Sequence, residues 1–134
     1  MSGLVLKLGP KERVLINGVV VENGSRRGRV QILTPNAKIL RLKDAIHPDE
    51  VTTPVRRVCY ILQLILSGDA NLSDGKRQVL NGIEQLSHAF WDADSRRILD
   101  VSTEHVVKEQ FYPGLKSLRQ LLAREARLMA AASQ

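Results

Sequence analysis

The side chains best placed to do chemistry in this chain are guanidiniums. Arg26, Arg27 and Arg29 surround one glycine in Arg26-Arg27-Gly28-Arg29, and Arg41 and Lys43 follow in Lys38-Ile39-Leu40-Arg41-Leu42-Lys43. Successive side chains of an extended chain point to opposite faces, so Arg27 and Arg29 share one face and Arg26 takes the other. The same alternation puts Arg41 and Lys43 on one face of their strand, opposite Leu40 and Leu42. Two adjacent basic rows on a small sheet can hold a phosphate backbone while guanidinium planes stack on unpaired bases. Lys7, Arg13 and Lys38 then serve as outer phosphate contacts. Residues 1–47 contain no aromatic side chain, so stacking there rests on arginine and aliphatic surface.

The distribution of charge supports a surface of this kind. Residues 1–47 carry nine Lys/Arg against Glu12, Glu22 and Asp44, a surplus of six that equals the net charge of the whole chain. Residues 48–134 carry eleven bases and eleven acids. Segregation on this scale suits a face that meets a polyanion. Three readings fit it: RNA or DNA, an acidic protein partner, or a merely solvated basic face.

Other reactive residue types lack a constellation. His47, His88 and His105 lie far apart with no metal-ligand spacing. Cys59 sits among aliphatic residues and reads as a buried structural thiol. Asp92 and Asp94 read as a helix stop and polar linker after Trp91. Asn17-Gly18 and Asn23-Gly24 read as hairpin turns, not phosphate loops, because no helix follows them. The sequence therefore predicts no enzyme activity, no cofactor and no metal site. One cysteine, no basic leader before Leu4-Val5-Leu6 and no long apolar stretch predict a cytoplasmic protein without membrane contact.

The elements that must position these groups fall into two modules. Residues 1–47 alternate in period 2 and turn often, predicting five short strands in a small twisted antiparallel sheet. Residues 48–134 switch to helical spacing and predict three or four helices. Thr53-Pro54 supplies an N-cap and first-turn proline for a helix that ends at Gly68. Apolar residues nearly all round predict that this helix is central, with Arg56, Arg57 and Gln63 marking an exposed edge. A second helix starts at Ser73 or Asp74, a short third runs from Ser102 toward Gln110, and a last one runs from Leu115 to the alanines beyond Met129. The fold class is α+β, with the two modules forming one unit. The sheet is too small to be stable alone, so its apolar face packs on the helices or on a second copy in a homodimer.

These residues, in this order, resemble the FlbT family of flagellar biosynthesis repressors. The resemblance is carried by the Leu4–Arg13 opening, Ile16-Asn17-Gly18, Asn23-Gly24 and the Arg26–Arg29 cluster. Thr53-Pro54-Val55-Arg56-Arg57-Val58 and Phe111-Tyr112-Pro113-Gly114-Leu115-Lys116-Ser117-Leu118-Arg119 complete it. It implies post-transcriptional control of flagellum biogenesis, through binding to the 5′ untranslated region of flagellin mRNA and its decay or translational repression. A FlaF-like protein is the implied partner. Some members act as activators, so the resemblance leaves the sign open. The N-terminal part is also similar to the CsrA family of RNA-binding sheets, through Leu4-Val5-Leu6, Ile16-Asn17-Gly18, Val30-Gln31-Ile32 and Arg41–Ile46. That likeness implies basic residues at strand edges gripping an exposed mRNA loop. The competing expectation is a protein-interaction module, a chaperone-like partner of flagellin or of a FlaF-like protein, working through Leu115, Leu118 and Leu122.

Overall fold

In the computed structural model, which describes residues 3–133, the alternating segments form five short antiparallel strands. They are β1 (Leu4–Leu8), β2 (Arg13–Ile16), β3 (Val19–Glu22), β4 (Gly28–Ile32) and β5 (Ile39–Arg41). Two small sheets result where the sequence suggested one: β1 pairs with β4, and β3-β2-β5 form a second ladder. The turn at Gly9-Pro10-Lys11, with Lys11 at φ 60°, takes the chain out of the first sheet and into the second.

Asn17-Gly18 makes the expected two-residue hairpin. Its φ angles, 47° and 85°, are both positive as a type I′ turn requires, and Ile16 faces Val19 across it. The Asn17 carboxamide oxygen also accepts the Lys38 N–H at 2.9 Å, which aligns the start of β5. Asn23-Gly24 is not a second such turn. The Asn23 N–H extends the β2–β3 ladder by donating to the Glu12 carbonyl at 2.8 Å. Its side-chain amide then bridges the carbonyls of Gly9 (2.7 Å) and Arg26 (2.8 Å). A second correction concerns β5, which stops at Arg41. Leu42–Asp44 is a 3-10 turn, so Lys43 lies off the strand and the expected Arg41–Lys43 row does not form.

The helices are α1 (Pro54–Ser67), α2 (Leu72–Leu86), α3 (Ala93–Val107), α4 (Phe111–Arg119) and α5 (Leu122–Ala132). The last expected helix is a broken arm, α4 and α5, joined by Gln120 and Leu121 in right-handed helical angles. The third is longer than expected. Asp92, read as linker, is its N-cap and accepts the Ser95 N–H at 2.9 Å.

α1 is the central element. Thr53 caps it by accepting from the Arg56 N–H, and Gly68 ends it in the left-handed region at φ 85°. Val55, Val58, Cys59, Leu62, Ile65 and Leu66 are buried along it, the valine, leucine and isoleucine side chains each contributing roughly 1.5–3 kcal/mol of apolar burial. Gln63, expected on an exposed edge, clamps the inter-module segment instead. Its amide accepts the Ile46 N–H at 2.7 Å and donates to the Ile46 carbonyl at 3.1 Å. On the other side α2 comes close enough that a Cβ on Gly75 would meet Ile65 Cγ1 at 2.7 Å, and one on Gly82 would meet Val58 Cγ2 at 2.6 Å. The sheets pack on these helices: Leu6, Leu8, Val14, Ile39 and Leu40 join one core with the α1 side chains.

Glu125 is buried where α5 meets the start of α1. It accepts the Thr53 hydroxyl and, at 2.9 Å, the Val55 N–H, satisfying a donor that a helix start leaves free. Hydrogen bonds to a buried charged group contribute about 1.5–3 kcal/mol, so Glu125→Ala is expected to lower unfolding free energy by that amount in a urea titration. Gly82→Ala is expected to lower Tm although alanine is the better helix former by ~1 kcal/mol. Val58 is buried and, being β-branched in a helix, has one strongly preferred χ1, and overpacking of this kind costs about 1–3 kcal/mol.

Candidate nucleic-acid interface

Pairing in the first sheet sets Lys7 directly opposite Arg29. Lys7 is exposed between the buried Leu6 and Leu8, so both cations stand on the outer face of the β1–β4 pair. Arg27, two residues before Arg29, approaches the same side, and Lys43 arrives from the turn after β5. Lys7, Arg27, Arg29 and Lys43 line one cleft of about 390 Å³, together with Leu8, Gly9, Glu12 and Gly28. The Asn23 amide fixes the Arg26–Arg29 segment beside the end of β1 through its bonds to Gly9 and Arg26.

Glu12, the carboxylate of the cleft, is held by an ion pair to Arg41, which lies outside the cleft lining. The Glu12 side chain, 6% exposed, accepts the Gly9 N–H at 3.0 Å and Arg41 Nη1 at 2.9 Å, and lies 3.8 Å from Lys43 Nζ. Arg41, 16% exposed, also donates to the Lys7 carbonyl at 3.1 Å and to the Tyr112 hydroxyl at 3.3 Å. Burial pushes the Glu12 carboxyl up, but the Gly9 N–H and the charges of Arg41 and Lys43 outweigh it and hold the carboxyl below its ordinary value. Burial likewise works against the Arg41 charge, and the bonds to Tyr112 and Glu12 more than restore it. Arg41 is therefore largely buried and acts on the site by holding Glu12 in place.

The remaining candidates are dispersed. Arg26 is exposed but does not line the cleft. Arg13 pairs across the ladder with Glu22 at 2.8 Å on the surface. Lys38 sits at the opposite end of β5 from Arg41, beside the Asn17 turn. Arg27 and Arg29 line one cleft, but Arg27 precedes β4, so strand alternation does not by itself account for their shared side. Alternation could not show that Arg41 lies under Glu12 and Tyr112, because Tyr112 is 71 residues away in sequence.

Other reactive groups have local duties. His47 caps a 3-10 turn by accepting the Asp49 N–H at 3.1 Å, and His105 Nδ1 lies 3.0 Å from the Gln110 amide oxygen. His88 is exposed beside Glu84. Cys59 is fully buried, and that burial pushes its thiol up to about 12. Asp92 and Asp94 pair with Arg124 on the surface. Among the described residues no helix is long and apolar enough to cross a membrane. Leu115 and Leu118, two of the three residues expected to carry a protein-docking face, are buried in the core, and Leu122 is partly buried against it.

The family described as "Flagellar protein FlbT" matches residues 4–129. A Caulobacter sp. (strain K31) protein described as a probable flagellum biosynthesis repressor protein FlbT is 31% identical over 91% of this chain and 92% of its own length. The flagellum biosynthesis repressor protein FlbT of Caulobacter vibrioides (strain ATCC 19089 / CIP 103742 / CB 15) is 29% identical over 91% of this chain and 86% of its own. A Mesorhizobium japonicum protein, also described as a probable repressor of this kind, is 26% identical over 94% and 84%. No solved structure matches the chain.

The depressed Glu12 carboxyl links stability to pH. Its ionised form stabilises the fold at neutral pH, and that contribution is lost as pH falls through its ordinary value of 4.5 toward the lower folded one. Glu12→Gln is expected to cost about 2 kcal/mol at pH 7, less than the ~3–5 kcal/mol of a fully buried pair, because Arg41 keeps two other acceptors and some contact with water. Denaturant midpoints measured from pH 7 to acid should show the difference between parent and variant shrinking as pH drops below that range.

Proposed function

The chain belongs to the FlbT family, and from that premise we propose that it represses flagellum biosynthesis by binding a single-stranded part of the 5′ untranslated region of flagellin mRNA. The observation that carries this reading is the convergence of Lys7, Arg27, Arg29 and Lys43 on one cleft whose single carboxylate, Glu12, is already engaged by Arg41. Four cations around a neutralised carboxylate attract successive phosphates, and each neutralised phosphate releases a counterion. Arg27 and Arg29 can also lay their planes against unstacked bases, which a single strand offers and a duplex does not. Binding near a ribosome site represses translation by occlusion or leaves the message open to nucleases. The protein itself supplies no catalytic step in this scheme. A FlaF-like protein is a partner in it, and the cytoplasm is where it operates.

The reading in which the helices dock a protein through Leu115, Leu118 and Leu122 is weaker on the same observations. A side chain that is 0% exposed, as Leu118 is, cannot contact a partner without unfolding α4.

Affinity for a leader-derived RNA should fall with salt. With four phosphates neutralised, log K against log salt should slope at roughly −3, from about −0.7 per phosphate on a single strand. Arg27→Ala should make the slope shallower by about 0.7, whereas Arg13→Ala should leave it unchanged. Fluorescence anisotropy across a salt series decides it: an affinity indifferent to salt would sink the proposal.

A further inference from the structure

The basic cleft does not end at the β module. Lys43 also lines a second cleft, of about 290 Å³, with Leu40, Arg41, Tyr112, Leu115 and Lys116 along its walls. Its acid, Asp44, is engaged by Arg119, which donates to the Asp44 carbonyl at 3.1 Å and approaches its carboxylate at 3.5 Å. That contact presses the Leu42–Asp44 turn against α4 and so holds Lys43 between the two clefts. Lys116 is exposed on α4 and forms no ion pair among the described residues. The Lys43 side chain, 62% exposed, faces water between them.

We infer that the anionic strand follows a continuous track from the β1–β4 face over Lys43 onto α4, with Lys116 as its far anchor. This rests on the RNA-binding reading above and extends its site onto the helical module. Each cleft holds one carboxylate, Glu12 in the first and Asp44 in the second, and each of these is held by an arginine. Arg119 is then a positioning residue: it acts on the strand only through the turn that carries Lys43.

The test uses the full chain and a non-self-complementary single-stranded RNA of ~16 nucleotides, at the long end of the span such sites cover. Lys116→Ala should make the salt slope shallower by about 0.7, as loss of one phosphate contact does, and Lys116→Arg should restore it. Thermal midpoints of both variants should match the parent, because the residue is exposed. If Lys116→Ala leaves the slope unchanged while Arg27→Ala makes it shallower, the track stops at the first cleft and this inference is wrong, though the RNA reading stands. If neither substitution moves the slope, the RNA reading itself falls. If Lys116→Ala alone moves it, binding lies on the helices and the continuous track is again wrong.

Discussion

The Glu12–Arg41 pair is the interaction on which the other features depend. It touches four separate pieces of chain: the turn after β1 through the Gly9 N–H, β1 itself through the Lys7 carbonyl, β5 through Arg41, and α4 through the Tyr112 hydroxyl. A buried ion pair is stabilising only when its remaining donors and acceptors are also satisfied. Here both carboxylate oxygens and three guanidinium nitrogens have partners. Two small sheets that share no backbone ladder are thereby kept in one orientation relative to each other and to the helices. That contact adds a polar tie to the shared apolar core and the Asn23 bridge, which together relate Lys7 and Arg29 of one sheet to Lys43, which follows the other.

The pair also shapes the field of the site. An unpaired arginine beneath four surface cations would raise the repulsion among like charges, and an unpaired glutamate would offset part of their attraction for phosphate. Paired, they form a nearly neutral unit with fixed geometry. The lysines and arginines above it keep their charges exposed to solvent, within reach of a phosphate backbone. The rigid layer below is built from close approaches. α2 lies against α1 at Gly75 and Gly82, and the α3–α4 contact is lined by the buried Ser102 and Ser117, which hydrogen-bond to each other at 2.8 Å.

Much of this was legible in the sequence wherever one residue fixes a local conformation. Thr53, Pro54 and Gly68 bound α1 because an N-cap, a first-turn proline and a left-handed C-terminal residue act through their own backbone. Asn17-Gly18 is legible for the same reason. What escaped was non-local. α3 was foreshortened because Ser95 and Ser102 occupy its buried face where apolar residues would mark it, their hydroxyls being satisfied by Arg124 and by the Ile98 carbonyl. Asn23 looked like a turn because its true partners, the carbonyls of Gly9 and Arg26, are defined only once β1 and β4 pair. Arg41 looked outward by alternation, since nothing in a strand's own residues says which side a distant tyrosine and glutamate will cover.

Charge counted by segment has the same blind spot. The balance of bases and acids in residues 48–134 suggests a module with nothing to offer a polyanion, yet that balance is a sum over unlike positions. Several of its charges cancel locally, as in Arg77–Asp74, Arg97–Asp94, Lys108–Glu104 and Lys76–Glu109. Such exposed pairs contribute little to stability, but they do remove their cations from the field seen by a ligand. Lys116 escapes this cancellation, and it is the helical lysine that shares a cleft with Lys43. Arg119 cancels instead against Asp44, an acid from the basic module. That exchange, one helical base for one β-module acid, makes the basic face more positive than residues 1–47 are by themselves. A surface potential therefore follows which charges pair across the fold, and the boundary between the modules in sequence is not the boundary of the binding face.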